Sequence, residues 1–265
     1  MKHNINIFCN NERVGIIEID LNSNNVELIY DENWKNIGFE LSPHLKFDKS
    51  IDSNSIKKFV NNLLPEGNGL DAISIILQIS KANKFGLLEA IGNETAGALT
   101  FSTDNIVVTN FREISNEELT ERIMNKDNIN ITLWDGKIRL SLSGVQDKLP
   151  LVVLKDNKYG IGEGKIASTH ILKFEKKDDI HLVLNEYFCM KLAKLCGLNV
   201  SEVEIRKFGT QNVLFVKRFD RELLMNKDGS FEVLKNHIID GCQLLDLDVS
   251  MKYENIKYEV KAGCL

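Results

Sequence analysis

The chain has 265 residues, 43% of them hydrophobic and 27% charged, which is enough to bury a core in one large domain or two small ones and excludes a disordered chain. The net charge of −5 gives no electrostatic drive toward nucleic acid, and no apolar stretch approaches a membrane span or a signal-type leader. Five scattered cysteines, Cys9, Cys189, Cys196, Cys242 and Cys264, lack zinc-finger spacing and read as reduced thiols of a cytoplasmic protein.

The first hundred or so residues read as strands followed by helices. INIFCNNERVGIIEID alternates on either side of Asn10 and Asn11, a hairpin signal, and NVELIYDENW reads as a third strand. The spacing then turns helical in SIKKFVNNLLPEG and in LDAISIILQISKANKFGLLEAIG, with Pro65 and Gly67 separating the two helices. GNETAGALTFST closes this unit with a strand. A short helix is expected from Ser115, with Glu118 in capping-box register.

Beyond Trp134, strands or hairpins are expected in IRLSLSG, KLPLVVLKDNKYGIGEG, STHILKFE, SEVEIRKFG and VLFVKRFDR. DIHLVLNEYFCMKLAKLCG is the one long helix, led by Asp178 and Asp179 and stopped by Gly197. Within it Leu182, Glu186, Cys189 and Ala193 share a face, and Cys189 and Cys196 are expected in the core.

Four features bear on chemistry. The small-residue corner at Ser141, Ser143 and Gly144 is either a plain turn or a place where backbone N–H groups approach a phosphate. Lys173, at the end of an apolar strand, is either solvated or a point charge for a phosphate. Glu186 sits in a mostly apolar stripe, where an unpaired carboxylate is costly, so it either pairs with Lys173 or reaches water. VLFVKRFDR follows as an apolar strand running out into charges. A glycine corner, a lysine strand, a glutamate helix and an outgoing strand, in that order, match the ATP-binding half of a protein kinase.

SLSGVQDKLPLVV, STHILKFE, NEYFCMKLAKLCGLNV, VKRFDR and NHIIDGCQLL together resemble the HipA family of bacterial toxin kinases. NLLPEGNG and FGLLEAIGNETAGALTF resemble the N-terminal subdomain of the same family. The resemblance implies an α+β fold: a small strand and helix subdomain over residues 1–110, a kinase-like N-lobe with an antiparallel sheet and one long helix over 111–235, and the start of a helical C-lobe over 236–265. It also implies a serine/threonine kinase that uses ATP and magnesium, phosphorylates a protein such as an aminoacyl-tRNA synthetase, and is restrained by a helix-turn-helix antitoxin.

By motif, Ser141 resembles the serine that these kinases autophosphorylate. Ser143, Gly144, Val145, Gln146, Asp147 and Lys148 resemble the loop over the ATP phosphates. Lys173 resembles the phosphate-gripping lysine, Glu186 its partner, and Lys217 and Phe219 the hinge whose backbone contacts adenine. His237, Asp240 and Gln243 match a motif to which only a structural role is assigned.

The family continues through a catalytic loop with a general-base aspartate and a magnesium-binding asparagine, then a second metal-binding aspartate. Nothing after MKYE matches these, so no catalytic or metal-binding residue is assigned. The expectation is a kinase truncated before its catalytic loop, inactive alone and with weak or absent ATP and magnesium binding, either as a truncated gene product or as one half of a split kinase whose C-lobe a separate chain supplies. The alternative is a non-catalytic binding or regulatory protein that acts on an antitoxin, a target or a full-length kinase. Neither reading has direct contact with nucleic acid or membrane. Leu244, Leu245 and Leu247 are expected to expose apolar surface, so the chain should self-associate at high concentration. Light scattering checks this, and a monodisperse monomer would count against it.

Overall fold

The computed structural model describes residues 1–106, 108–139, 148–175 and 181–252. Its first unit opens with β1 (Lys2–Cys9), β2 (Glu12–Asp20) and β3 (Asn25–Tyr30). Asn10 and Asn11 turn the first hairpin with φ of 47° and 71°, the left-handed pair that a tight two-residue turn requires. The expected third strand stops at Tyr30 because Asp31 caps α1 (Glu32–Ile37), accepting from the Asn33 amide at 2.9 Å.

Helices α2 (Ser53–Leu63), α3 (Gly67–Leu77) and α4 (Lys84–Ile91) follow, then β4 (Leu99–Ser102). The long second helix expected from the sequence is thus two helices. Gln78 takes a left-handed conformation that ends α3, and Asn83 caps α4 through the Gly86 amide. The antiparallel sheet runs β3-β2-β1-β4, and Ile5, Ile7 and Ile17 pack with Phe59, Val60, Leu87 and Leu88.

The second unit contains β5 (Asn110–Ile114), α5 (Asn116–Met124), β6 (Leu133–Trp134), β7 (Lys137–Ile138), β8 (Lys148–Val153), β9 (Tyr159–Glu163) and β10 (His170–Phe174). Then come α6 (Leu182–Leu195), β11 (Val203–Phe208), β12 (Gln211–Lys217), β13 (Arg221–Met225), β14 (Phe231–Lys235) and α7 (Gly241–Leu245). Six of these strands form an antiparallel sheet in the order β11-β12-β10-β8-β9-β5. Ser115 caps α5 as expected, but the Glu118 carboxylate turns to Arg112 at 2.8 Å.

Pro150 lies inside β8, where a missing N–H is normally excluded. It is tolerated because, among the described residues, β8 pairs only with β10 over residues 148–151 and meets β9 at Val152 and Val153.

Strand alternation divides the residues of this sheet between two cores. Leu172, Phe174 and Phe215 join Trp134, Leu119 and Ile123 on one face. Val203 and Leu214 meet Val183, Tyr187 and Met190 of α6 on the other. The inner face of α6 is therefore one position away from the expected stripe. Cys189 and Cys196 are exposed, not core residues, because the Val183, Tyr187 and Met190 spacing already fills the contact with the sheet. Asp178 and Asp179 lie outside the described residues. Leu244 and Leu245 are exposed, whereas Leu247 is half-buried.

A buried charge network joins the two units. Asp220, 3% exposed, accepts from Arg218 through Nε at 2.9 Å and Nη2 at 2.7 Å, and from Arg221 Nη1 at 2.5 Å. From the first unit, the Gly97 amide donates to Asp220 at 3.0 Å and the Thr95 carbonyl accepts from Arg221 at 2.9 Å. Gly97 has φ of +76°, and a Cβ there would lie 2.8 Å from the Ile238 carbonyl, so glycine is needed for this approach. Glu94 accepts from Arg218 at 3.3 Å and from both the amide and the hydroxyl of Ser168.

Lys235 lies at the same junction. Its backbone is clamped by Asn10 at 3.0 and 2.8 Å, and its ammonium donates to Thr100 Oγ1 at 2.5 Å. Burial, with the charge of Arg221, lowers the Lys235 pKa to about 8. Burial also opposes the charge on Asp220, but the hydrogen bonds and charge of Arg218, joined by Arg221, hold its carboxyl below the usual range.

Asp220→Ala leaves buried arginines without their anion and is expected to cost about 3–5 kcal/mol in urea denaturation at pH 7. The folded pKa of Asp220 lies below its unfolded value, so its stabilisation is complete above about pH 4 and is lost as pH falls through the folded value. The gap between wild type and variant should therefore narrow below about pH 4.

Candidate functional site

On β10, Leu172 and Phe174 point into the larger core, which turns Lys173 to the α6 face. Lys173 Nζ donates to Glu186 Oε1 at 2.6 Å, and the two side chains are 23% and 28% exposed. Glu186 lies one turn from Val183 and one from Met190, at the edge of the helix's inner face, which lets a carboxylate sit beside apolar packing.

A second carboxylate fixes the start of that helix. His181 is left-handed and its side chain makes no capping bond, but Glu175 at the end of the lysine strand accepts from the Val183 amide at 3.1 Å. An acceptor from the neighbouring strand thus satisfies one of the helix's orphan N–H groups and ties α6 to β10. Sequence reasoning missed Glu175. The available signal was an acidic residue directly after a buried strand and ahead of a helix.

Strand register places Lys148 of β8 directly opposite Lys173. Cross-strand partners share a sheet face, and like charges in that position repel. Lys148 is also 7% exposed, so two cationic residues stand opposite each other on this face of the sheet, with Glu186 paired to Lys173. Such an arrangement suits a polyanion. Ser141, Ser143, Gly144, Val145, Gln146 and Asp147 lie outside the described residues.

Lys217 ends β12 opposite His170. Its amide donates to the Glu202 carbonyl at 2.9 Å, and its ammonium is 3.3 Å from the Glu202 carboxylate. The Arg218 amide makes one more bond, to the Thr169 carbonyl at 2.9 Å, and the chain then leaves the sheet with Phe219 73% exposed. The structure therefore brings Lys148, Lys173 and Glu186 together, and sets Lys217 and Phe219 where the sheet gives way to the next segment.

His237, Asp240 and Gln243 serve packing. His237 Nε2 donates to the Leu41 carbonyl at 2.9 Å, and its ring stacks on Phe39 with centroids 4.7 Å apart. Asp240 and Gln243 form a reciprocal capping box on α7, and Gln243 Nε2 donates to the Phe59 carbonyl at 3.1 Å. Among the described residues, no helix is long and apolar enough to cross a membrane.

Comparison with known proteins agrees with this architecture. The HipA N-terminal domain matches residues 5–102, and the HipA-like C-terminal domain matches residues 140–265. The second match does not bear out the expectation of a kinase truncated before its catalytic loop, since the HipA-like C-terminal domain is present over residues 140–265. The serine/threonine-protein kinase toxin HipA of Shewanella oneidensis is 42% identical over 243 residues, covering 91% of this chain and 55% of the relative. The solved complex of Shewanella oneidensis HipA, HipB and operator DNA contains a chain that superposes with a TM-score of 0.80 at 41% identity, covering 94% of this chain and 58% of that one. The chain thus spans a little over half the length of these relatives.

A double-mutant cycle with Lys173→Met and Glu186→Gln should give a coupling of about 1 kcal/mol in urea denaturation, as expected for a partly exposed ion pair of good geometry. Additive effects would show that the pair is not formed in solution.

Proposed function

The chain belongs to the HipA family, and we propose that it forms the ATP-gripping part of a serine/threonine protein kinase that acts as the toxin of a toxin-antitoxin pair. The observation that carries this reading is the Lys173–Glu186 pair at 2.6 Å with Lys148 directly across the sheet. Glu186 holds the Lys173 ammonium in place, so the cation is oriented before a phosphate arrives. Lys148 supplies a second positive charge from the root of the loop that contains Ser143, Gly144, Val145, Gln146 and Asp147. The backbone of Lys217 and Phe219 serves as the adenine-facing hinge, and Ser141 is the site of autophosphorylation.

Bound magnesium would neutralise phosphate charge during transfer. What these residues themselves do is position the nucleotide. Domain boundaries near residues 110 and 235 follow the same reading. The partner is a helix-turn-helix antitoxin, by analogy with the HipB found with the Shewanella protein, and the substrate is a protein such as an aminoacyl-tRNA synthetase.

A second reading, a binding or regulatory protein, is favoured by one observation. Leu184, Phe188, Leu192 and Leu195 form an exposed apolar ridge along the outside of α6, at spacings that suit a protein partner.

Calorimetry with ATP and magnesium on this chain and on Lys173→Ala separates the two. Binding that weakens by about ten-fold or more in the variant, a loss of about 1.4 kcal/mol, supports the kinase reading. Equal binding, or none in either protein, leaves the regulatory reading.

A further inference from the structure

A cavity of about 300 Å³ opens where β10 begins and β12 ends, away from the Lys173–Glu186 pair but built on the same two elements. His170 of β10 forms part of its wall, three residues before Lys173. Met190 and Lys194 of α6 form another part, one and two turns beyond Glu186. Residues 200–204, which lead from α6 into β11, close the remaining side.

The lining combines an apolar patch with an excess of cations. Met190, Val203 and Phe215 supply the apolar wall, and Ser201 adds a hydroxyl. The two carboxylates at the cavity are already committed: Glu202 lies 3.3 Å from Lys217, and Glu204 lies 3.1 Å from Arg206. Lys191 and Lys194, by contrast, make no ion pair among the described residues, and Lys191 lies over the Tyr187 ring at 5.2 Å. The half-buried His170 ring reports the resulting field. Burial, then the charges of Arg206 and Lys217, lower its pKa to about 4 despite Glu202 and Glu204 nearby.

We propose that this cavity binds a small molecule with an apolar body and one phosphate or carboxylate group, and that its occupant fixes α6 and with it the position of Glu186. The size falls at the lower end of that of small-molecule sites, which suits a compact aromatic or branched acid. The anion lies toward Lys191 and Lys194, and the body lies against Met190, Val203 and Phe215. Because Met190 and Lys194 belong to the helix that presents Glu186, an occupant that bridges them to β11 restrains that helix. The consequence for nucleotide binding rests on the kinase reading above; the site itself does not.

The test uses the 265-residue chain and phenyl phosphate, benzoate and benzyl alcohol as probes. Imidazole resonances are followed by NMR, with His170→Asn assigning the His170 signal. Saturable shifts of His170 are expected with phenyl phosphate or benzoate, whichever responds identifying the preferred anion, and none with benzyl alcohol. The exposed double variant Lys191→Ala/Lys194→Ala should bind about five-fold more weakly or worse. Amide exchange across α6 should slow by about three-fold or more when the probe saturates.

No saturable shift at His170, an equal response to benzyl alcohol, or unchanged affinity in the double variant would overturn the site. Unchanged exchange in α6 at saturation would overturn its link to Glu186. Neither readout involves ATP, so a failure of ATP to bind would count against the kinase reading alone.

Discussion

Asp220 is the point on which the arrangement of this molecule depends. Its carboxylate holds Arg218 at the exit of β12 and Arg221 at the start of β13, and it receives an amide from the first unit through Gly97. Through Arg218 the same network reaches Ser168, just before β10. The two strands that carry Lys173 and Lys217 are therefore tied at one end by ionic contacts, in addition to the sheet pairing and apolar packing along their length. Such clusters have little advantage in net stability over an apolar replacement, because desolvation consumes most of the attraction. They demand geometry, however, and here the geometry fixes how one unit sits on the other.

The candidate site uses a second, weaker set of charges. Lys173 and Glu186 remain partly solvated, so neither bears the full penalty of burial. Glu175 acts in another way, since by capping α6 it sets the distance between the helix and the lysine strand. Strand, cap and helix form one short circuit, and a shift at any of them is felt by the others.

Most strands of the two main sheets and most helices could be read from the sequence because they rest on local signals, whereas β5, α1 and the β13–β14 hairpin were not. The left-handed pair Asn10 and Asn11 defined the first hairpin, and Ser115 defined the start of α5. The pairing of Lys173 with Glu186 was one of the two readings that chain order and the cost of an unpaired carboxylate left open, and the strand register decides for it. What failed were features decided by contacts distant in sequence. Cys189 shares helical spacing with Glu186, yet the sheet selects Val183, Tyr187 and Met190 for contact. The break at Gln78 has no glycine or proline to announce it. The Asp220 network joins residues more than a hundred positions apart, so the charges in VKRFDR could be seen but not assigned to Thr95 and Gly97.

The outward placement of Cys189 and Cys196 has a practical consequence. Among the described residues, Cys9 and Cys242 are buried, and the two exposed thiols both belong to α6 or its C-terminal cap. Burial also raises the pKa of the Cys9 thiol, which further slows its reaction. A thiol-directed fluorophore or spin label would thus concentrate, among these four, on the one helix that presents Glu186. The protein carries on that helix its own attachment points for watching it move.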